Sequence, residues 1–328
     1  MKSTRLLLFL SIIAFAAQTS STIADDNAKF FGQSDVKTET DVAFLEGPAC
    51  DRAGNVFFTN TNAELIMKWS PAKRSLTVFR ENSNAANGLL FDGQGRLWAC
   101  EGNAERVTRT DMQTGKIEVM ADNYQGKPLG KVNDLAFDKQ GRLYFTSRFG
   151  TNLKPGQVNA VYRLDPDGTI DRLVATPDID MPNGIVTSPD DKMLYLIDAD
   201  PRADHARSIR AYELKEDGTL GKEQTLINFY PGRSGDGMCI DAKGNLYVAA
   251  GLHRTRGTSE TLDTKPGIHV ISPKGKRLAY IETPEDTITN CTFGAKDLKT
   301  LYITCGKKLL SLQTQIPGKP SYRPGPQP

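Results

Sequence analysis

The sequence predicts an all-β protein, a six-bladed β-propeller with four antiparallel strands in each blade. Two observations predict this fold: a short segment occurs six times along the chain, and the pattern of a β-hairpin follows most copies. Successive copies begin 41, 46, 50, 53 and 54 residues apart, a period typical of propeller blades. The copies begin at Glu46, Asn87, Asn133, Asn183, Asp236 and Asn290.

Each copy opens with a short apolar run, the predicted innermost strand, and a turn follows it. Four turns have the pattern Asp-x-x-Gly, in which aspartate accepts a local backbone hydrogen bond and glycine permits an unusual backbone conformation. They are Asp51–Gly54, Asp92–Gly95, Asp138–Gly141 and Asp241–Gly244. Runs rich in aromatic and β-branched residues then form the predicted second strands. These are Asn55–Thr59, Arg96–Cys100, Arg142–Thr146, Met193–Ile197, Asn245–Ala249 and Thr300–Thr304.

A second hairpin completes each unit. It is clearest at Val161–Val174, where Asp-Pro-Asp-Gly forms the turn, and it recurs at Ile209–Leu226 and Ile268–Ile281. Each unit therefore has four strands. The intervening segments lack the period of a long amphipathic helix, which argues against a parallel α/β fold.

Composition excludes two classes of function. The chain has 328 residues and a net charge of +2, without a Lys/Arg-rich run that contains aromatic residues, so we expect no nucleic-acid partner. The repeats contain no apolar stretch near the roughly 20 residues that a membrane span requires. We therefore expect no membrane span in the mature chain.

The first 24 residues have the pattern of a secretory signal peptide. Lys2 and Arg5 precede an apolar run from Leu6 to Ala17, and small residues lead to Ala24. Cleavage after Ala24 is the predicted processing event, with Ala16 and Ala17 as alternative sites. An uncleaved anchor is the other interpretation, but the apolar run is short for one. The sequence predicts a secreted or periplasmic protein.

The mature chain divides into a propeller domain at 25–316 and a Pro-rich tail at 317–328. The tail has too many prolines to join a sheet ladder, so we expect it to be disordered. The polar stretch Asp25–Thr40 is a candidate for part of the strand that closes the ring beside the last blade.

Five cysteines, an odd number without short paired spacing, are best interpreted as small buried residues. A disulfide between Cys291 and Cys305 on neighbouring strands is an open alternative. The Cys-x-x-Cys spacing of a zinc-thiolate site is absent from the sequence.

The residues that open the six copies should converge. Each enters an innermost strand, and the innermost strands surround the central channel, so these side chains should meet at one mouth. The loops that leave the second strands should emerge at the same mouth and form the walls of a pocket: Ser147–Ala160, Asp198–Ser208 and Ala250–Gly267. The aspartate turns fall at the opposite face, where we assign them a structural role.

The converging set consists of two carboxylates and four amides. Oxygen ligands with a formal charge of −2 suit a hard divalent cation: Ca²⁺ first, then Mg²⁺ or Mn²⁺, with Zn²⁺ also considered. The alternative is that Asn-Gly and Asp-Gly simply make tight turns. That alternative is weaker for Glu46, since glutamate is a poor turn residue, and stronger for Asn87 and Asn290.

The chain resembles the gluconolactonase and regucalcin (senescence marker protein) family from about Val42 to Gln313. The resemblance rests on the set Glu46-Gly-Pro, Val132-Asn133-Asp134, Pro182-Asn183-Gly184 and Gly235-Asp236-Gly237. It implies that Glu46, Asn183 and Asp236 bind a divalent metal, that Asn133 contacts metal or substrate, and that Asp236 helps to activate water.

Two positions depart from the family pattern. Lys131 stands where regucalcin-like members carry arginine, and Thr146-Ser147-Arg148 stands where bacterial lactonases often have Thr-Asp-Pro. The substrate preference of a relative therefore does not transfer to this chain.

The predicted function is metal-dependent hydrolysis of a sugar lactone. A divalent cation would polarise the carbonyl, and a carboxylate would activate water, with Asp236 as first choice and Glu46 as second. Asn133 and Asn87 would orient water or substrate, and Arg148 or Lys131 would hold a polar sugar.

Two alternatives remain open: hydrolysis of another ester or an organophosphate at the same metal, and a non-catalytic binding propeller with a structural ion. A serine triad is disfavoured because the sequence lacks Gly-x-Ser-x-Gly.

Overall fold

The computed structural model describes residues 26–320 and confirms the predicted all-β fold. Six four-stranded antiparallel sheets surround one axis. A short helical segment at residues 26–31 precedes the first strand. The predicted signal peptide, residues 1–24, lies outside the described residues, so export stays a prediction.

The first three blades run from the innermost strand outwards. Blade 1 contains β2 (Leu45–Cys50), β3 (Val56–Asn60), β4 (Leu65–Ser70) and β5 (Ser75–Arg80). Blade 2 contains β6 (Ala86–Phe91), β7 (Leu97–Glu101), β8 (Arg106–Thr110) and β9 (Ile117–Ala121). Blade 3 contains β12 (Lys131–Phe137), β13 (Leu143–Arg148), β14 (Ala160–Leu164) and β15 (Ile170–Ala175). The short hairpin β10 (Asn123–Tyr124) and β11 (Lys127–Pro128) connects blades 2 and 3.

The remaining blades follow the same plan. Blade 4 contains β16 (Pro182–Thr187), β17 (Met193–Ala199), β18 (Arg207–Leu214) and β19 (Leu220–Asn228). Blade 5 contains β20 (Gly235–Ile240), β21 (Leu246–Ala250), β22 (Gly267–Ile271) and β23 (Arg277–Glu282). Blade 6 contains β24 (Ile288–Gly294), β25 (Thr300–Cys305), β26 (Lys308–Gln313) and, as its outermost strand, β1 (Lys37–Asp41).

The ring is closed by strands from opposite ends of the chain. Strand β1 pairs antiparallel with β26, with Lys37 opposite Ser311 and Asp41 opposite Lys308. The stretch Asp25–Thr40 therefore contributes to the closing strand, as predicted. Because β1 covers the edge of β26, blade 6 is complete only when both ends of the domain are in place.

Neighbouring blades pack through aromatic pairs that the repeat itself supplies. Phe57 of blade 1 meets Phe91 of blade 2 edge to face at 5.2 Å between ring centroids, and Trp98 of blade 2 meets Phe137 of blade 3 at 5.3 Å. In each pair, a second-strand ring lies against the innermost strand of the next blade. Such contacts add to the apolar burial that joins the blades.

The aspartate turns have the structural role predicted from the sequence. Asp51 accepts hydrogen bonds from the backbone and side chain of Asn55, and Asp241 makes the same pair with Asn245. Asp92 and Asp138 accept from the backbones of Arg96 and Arg142 in the equivalent turns.

The alternative disulfide between Cys291 and Cys305 is wrong. All five cysteines are free thiols. The register places Cys291 opposite Ile303 and Cys305 opposite Ile288, so the two thiols are not cross-strand partners. The Cys291 thiol instead lies 3.4 Å from that of Cys239 in the neighbouring blade.

The boundary at Pro317 between domain and disordered tail is also wrong, because residues 317–320 pack across one end of the channel. Pro317 accepts a backbone hydrogen bond from Ala242 at 2.8 Å, and Gly318 donates one to Leu298 at 2.8 Å. The Lys319 backbone donates to Ile240, and its ammonium donates to the Thr187 carbonyl at 2.8 Å. This segment joins blades 4, 5 and 6.

Above this segment lies a cavity of about 80 Å³ lined by all six innermost strands. Lys319 and Pro320 form part of its wall, so the C-terminal segment closes the channel on the side of the aspartate turns. A search of residues 26–320 finds no helix with the length and apolarity needed to cross a membrane.

Deleting residues 317–328 should lower the free energy of unfolding by about 2–4 kcal/mol. The deletion removes three backbone hydrogen bonds at about 1 kcal/mol each, together with the Lys319 contacts. Urea unfolding of the purified protein measures the effect. A matched deletion of residues 321–328 keeps all these contacts, so identical unfolding curves for the two deletions would contradict the assignment.

Candidate metal and substrate site

Five of the six residues that open the repeats lie at the same depth in their innermost strands: Glu46, Asn87, Asn133, Asn183 and Asp236. The sixth, Asn290, was misaligned by one residue, because the register of blade 6 puts Thr289 at that depth and Asn290 at the position that Asp134 has in blade 3. Each innermost strand has a break in its register with the second strand close to that residue, for example between Glu46 and Ala49 and between Gly235 and Met238. A bulge of this kind redirects side chains at the end of a strand. The fold thus repeats one local irregularity around the axis.

The glycine after the opening residue allows neighbouring strands to approach. A Cβ atom on Gly47 would lie 2.0 Å from the carbonyl oxygen of Asn87, and one on Gly237 would lie 2.1 Å from the side-chain Cγ of Asn290. Any larger residue would push the blades apart. The repeated Asn-Gly and Asp-Gly pairs are therefore required by packing in the ring, in addition to any role of their side chains.

Asp236 is held by two neighbours. The Asn183 amide donates to its Oδ1 at 2.7 Å, and the Arg233 guanidinium donates to its Oδ2 at 2.5 Å. Arg233 is itself buried and also donates to the carbonyl of Ile288 at 3.2 Å. These contacts bring two predicted site residues together and add an arginine that the sequence analysis missed.

The Glu46 carboxylate is buried among other acidic groups. Burial, followed by the nearby charge of Asp236, raises its pKa well above the usual value, and Asp134 acts in the same direction. Arg148 opposes this rise. The charges of Asp236 and Arg148 therefore both act on Glu46.

Asp134 is a buried carboxylate that the sequence analysis did not include in the site. It accepts backbone hydrogen bonds from Leu135 at 2.9 Å and Ile185 at 3.4 Å, and the Asn290 amide also donates to it. Burial raises its pKa to about 7. The sequence could have indicated Asp134 as unusual. The residue after the opening residue is glycine in blades 1, 2, 4 and 5, whereas blade 3 has Asp134 there.

The other predicted residues lie around this centre. Asn133 is buried beside Asp134, and Asn87 is half-buried at the equivalent position of blade 2. Lys131 is exposed at the start of β12, and Arg148 is half-buried at the end of β13. The substrate contacts proposed for these residues stay predictions.

A separate acidic group lies on the loops of blade 4. The ligand atoms of Asp180, Asp200 and His205 lie within 4.8 Å of one another, the one such group among residues 26–320. Asp200 already pairs with Arg202 at 2.6 Å, and His205 Nδ1 lies 3.1 Å from Asp180. Arg202 thus balances the negative charge of Asp200 without a metal ion.

The channel residues fit a hard divalent cation better. Glu46 and Asp236 offer carboxylate oxygens, Asn183 and Asn133 offer amide oxygens, and Asp134 adds a third negative charge nearby. Burial, followed by the charge of Asp236, raises the pKa of the Glu46 carboxyl, so its ionised form is unfavourable in the absence of a nearby cation. A divalent cation would compensate the charge of that form, and oxygen donors suit Ca²⁺ or Mg²⁺.

The sequence and structure were compared with known proteins. The sequence profile of the SMP-30/Gluconolactonase/LRE-like region matches residues 44–307. A gluconolactonase of Zymomonas mobilis subsp. mobilis is 30% identical over 308 residues, which cover 85% of this chain and 81% of that protein.

Solved structures give the same result. XC5397 of Xanthomonas campestris, described as a gluconolactonase, superimposes with a TM-score of 0.75 at 28% identity, covering 88% of this chain and 92% of that one. A regucalcin of Agrobacterium tumefaciens, described as calcium-binding, shares the fold with a TM-score of 0.68 at 20% identity, covering 88% and 96%.

In chelator-treated protein, Asp134→Asn should remove part of the pH dependence of stability. Folding raises the pKa of Asp134 from about 4 to about 7, so the folded state loses stability as the pH rises through that window. Wild type should lose about 2 kcal/mol relative to the variant between pH 5 and 7. Urea unfolding across this range measures the difference, and parallel profiles for the two proteins would refute it.

Proposed function

The chain belongs to the SMP-30/Gluconolactonase/LRE-like family, and we propose that it is a divalent-metal-dependent lactonase that opens the ring of a sugar lactone. The observation that carries the proposal is the hydrogen bond of Asn183 to Asp236, together with the effect of the Asp236 charge on the buried Glu46 carboxyl. The similarity to two proteins named gluconolactonase supports the substrate class.

The proposed site residues have distinct roles. Glu46, Asn183, Asp236 and Asn133 would hold the cation through oxygen atoms, and Ca²⁺ is the first candidate. When bound, the cation would supply Lewis-acid polarisation of the lactone carbonyl.

Carboxylates of the chain would accept the proton that the attacking water loses. Water adds to the carbonyl carbon, the bond to the ring oxygen breaks, and the products are a carboxylate and a hydroxyl group. Glu46 or Asp236 would accept one proton of the attacking water and pass it to the ring oxygen as that bond breaks, and the new carboxylic acid would release the second proton to solvent. Arg233 and Asn183 hold Asp236 by both oxygens, which fixes its orientation.

The open mouth and the closed opposite end favour catalysis over a purely structural ion. Residues 317–320 close the channel on the side of the aspartate turns, so a substrate can approach only from the side of Glu46 and Asp236. Long loops surround that side, including the segment between β21 and β22. A catalytic ion needs an accessible position of this kind.

Glu46→Gln and Asp236→Asn should each lower kcat/KM for glucono-lactone by about 10²–10⁴-fold, since each removes a negative ligand and a proton acceptor. A pH-stat assay with Ca²⁺ added back to chelated protein measures the rate. Full turnover by either variant, or by metal-free protein, would rule out the proposed site.

Asp51→Asn is the matched control for these variants. Asp51 lies in blade 1 like Glu46, but in the turn at the opposite end of the channel. Asparagine can accept the same turn hydrogen bond, so kcat/KM should stay within about 2-fold of wild type. A large loss in this control would show that general destabilisation explains the other variants.

A further inference from the structure

Two basic side chains face each other at the edge of the mouth. Lys131 at the start of β12 is directly opposite Arg148 at the end of β13 in the antiparallel register. Like charges in this arrangement destabilise a sheet. The charge of Arg148 lowers the pKa of Glu46, so Arg148 lies near Glu46. The Lys131–Arg148 pair therefore lies at the mouth. The local sheet is thus less stable than an uncharged pair would make it.

Two arginines lie on the other side of the same mouth. Arg233 donates to the carbonyl of Ile288 at 3.2 Å, and Arg256 donates to the hydroxyl of the adjacent Thr287 at 2.7 Å. Anchors on consecutive residues bring the two guanidinium groups close together. The charge of Arg233 contributes to lowering the pKa of Arg256, which agrees with this proximity.

In the part of the chain that the structure describes, three of these four cations have no carboxylate partner. Within residues 26–320, Lys131, Arg148 and Arg256 form no ion pair at 4.0 Å or less, whereas Arg233 pairs with Asp236. Two other arginines on the same face are paired: Arg254 with Asp286 at 3.0 Å and Arg202 with Asp200 at 2.6 Å. Lys131, Arg148 and Arg256 thus place three cations around the mouth that have no ion pair in the described range.

The charge balance at the mouth favours a negatively charged ligand. The charges of Glu260 and Asp286 also act on Arg256, so the cationic side chains and the carboxylates around the mouth are close to balance, and a divalent cation bound there would leave an excess of positive charge. A neutral sugar lactone leaves this excess uncompensated. An anionic group on the substrate would relieve the repulsion between Lys131 and Arg148, and guanidinium groups bind carboxylate or phosphate through paired hydrogen bonds.

We propose that Lys131, Arg148, Arg233 and Arg256 form a subsite for an anionic group, so that the preferred substrates are lactones of acidic sugars. The anionic group is a carboxylate or phosphate at the end of the sugar away from the ring ester. This inference rests on the proposed lactonase function and specifies its substrate class. The excess positive charge also attracts such substrates from solution.

The first test compares three lactones of the same ring: neutral glucono-lactone, its 6-phosphate and the corresponding 6-carboxylate. At low salt, kcat/KM for at least one charged lactone should exceed that for the neutral one by about 10-fold or more, and the advantage should shrink as salt is added. The better of the two charged lactones identifies the anionic group. Equal values, or a preference for the neutral lactone, would overturn the proposal.

Arg256→Met tests the subsite directly, with Arg254→Met as its matched control on the same loop. Arg254 is exposed and already paired with Asp286. Arg256→Met should reduce kcat/KM for the preferred charged lactone about 10-fold more than for the neutral one. Arg254→Met should leave the ratio between the two lactones unchanged. An equal loss on both lactones in Arg256→Met would overturn the proposal.

A binding measurement separates failure of this inference from failure of the lactonase proposal. Gluconate 6-phosphate should raise the melting temperature of the calcium-loaded protein more than gluconate does, and Arg256→Met should remove the difference. If no lactone is hydrolysed, the proposed function is wrong. The difference in melting temperature between the two compounds would still test whether the anionic subsite exists. Equal shifts for both compounds in wild type would reject the subsite.

Discussion

The close approach of the six innermost strands around the axis is the constraint on which the rest of the structure depends. At Gly47 and Gly237, the backbone or side chain of the next blade occupies the space that a Cβ atom would need. Strands this close bring their opening side chains to one short section of the channel. The same contact that packs the blades thus assembles the candidate site, and a substitution that widens the ring would damage stability and site together.

This packing forces like charges together in a poorly solvated place. Glu46, Asp134 and Asp236 lie near one another in the channel, and burial raises the pKa of the first two. A buried carboxylate that lies next to a second carboxylate destabilises the fold unless a cation balances their negative charge. Arg233 compensates part of the charge on Asp236 through its ion pair. The remaining charge is the physical reason to expect a divalent cation there.

The sequence predicted the repeated parts of the molecule well, because every repeat supports the same interpretation. Four strands per blade, the aspartate turns and the common position of Glu46, Asn183 and Asp236 could all be inferred from the aligned copies. Only the sixth copy was misaligned, by one residue, because it lacks the glycine that marks the position after the opening residue. Features that occur once were missed. Arg233 and Arg256 lie outside the repeat, on segments whose course depends on tertiary packing. The segment 317–320 was misjudged because proline content excludes a sheet ladder but does not exclude hydrogen bonds to the ends of other strands.

The two ends of the channel differ in a way that bears on function. At the end near the aspartate turns, the side chain of Lys319 is largely buried and its ammonium donates to the Thr187 carbonyl, so a positive charge lies where the channel is closed. At the other end, Lys131 and Arg148 are placed opposite each other without a carboxylate partner in the described part of the chain. A fold that only needed stability could pair or replace these two residues, as it does for Arg254 with Asp286. Their unpaired arrangement at the open end is better explained by a ligand that carries the missing negative charge, since the repulsion between them is then relieved when the ligand binds.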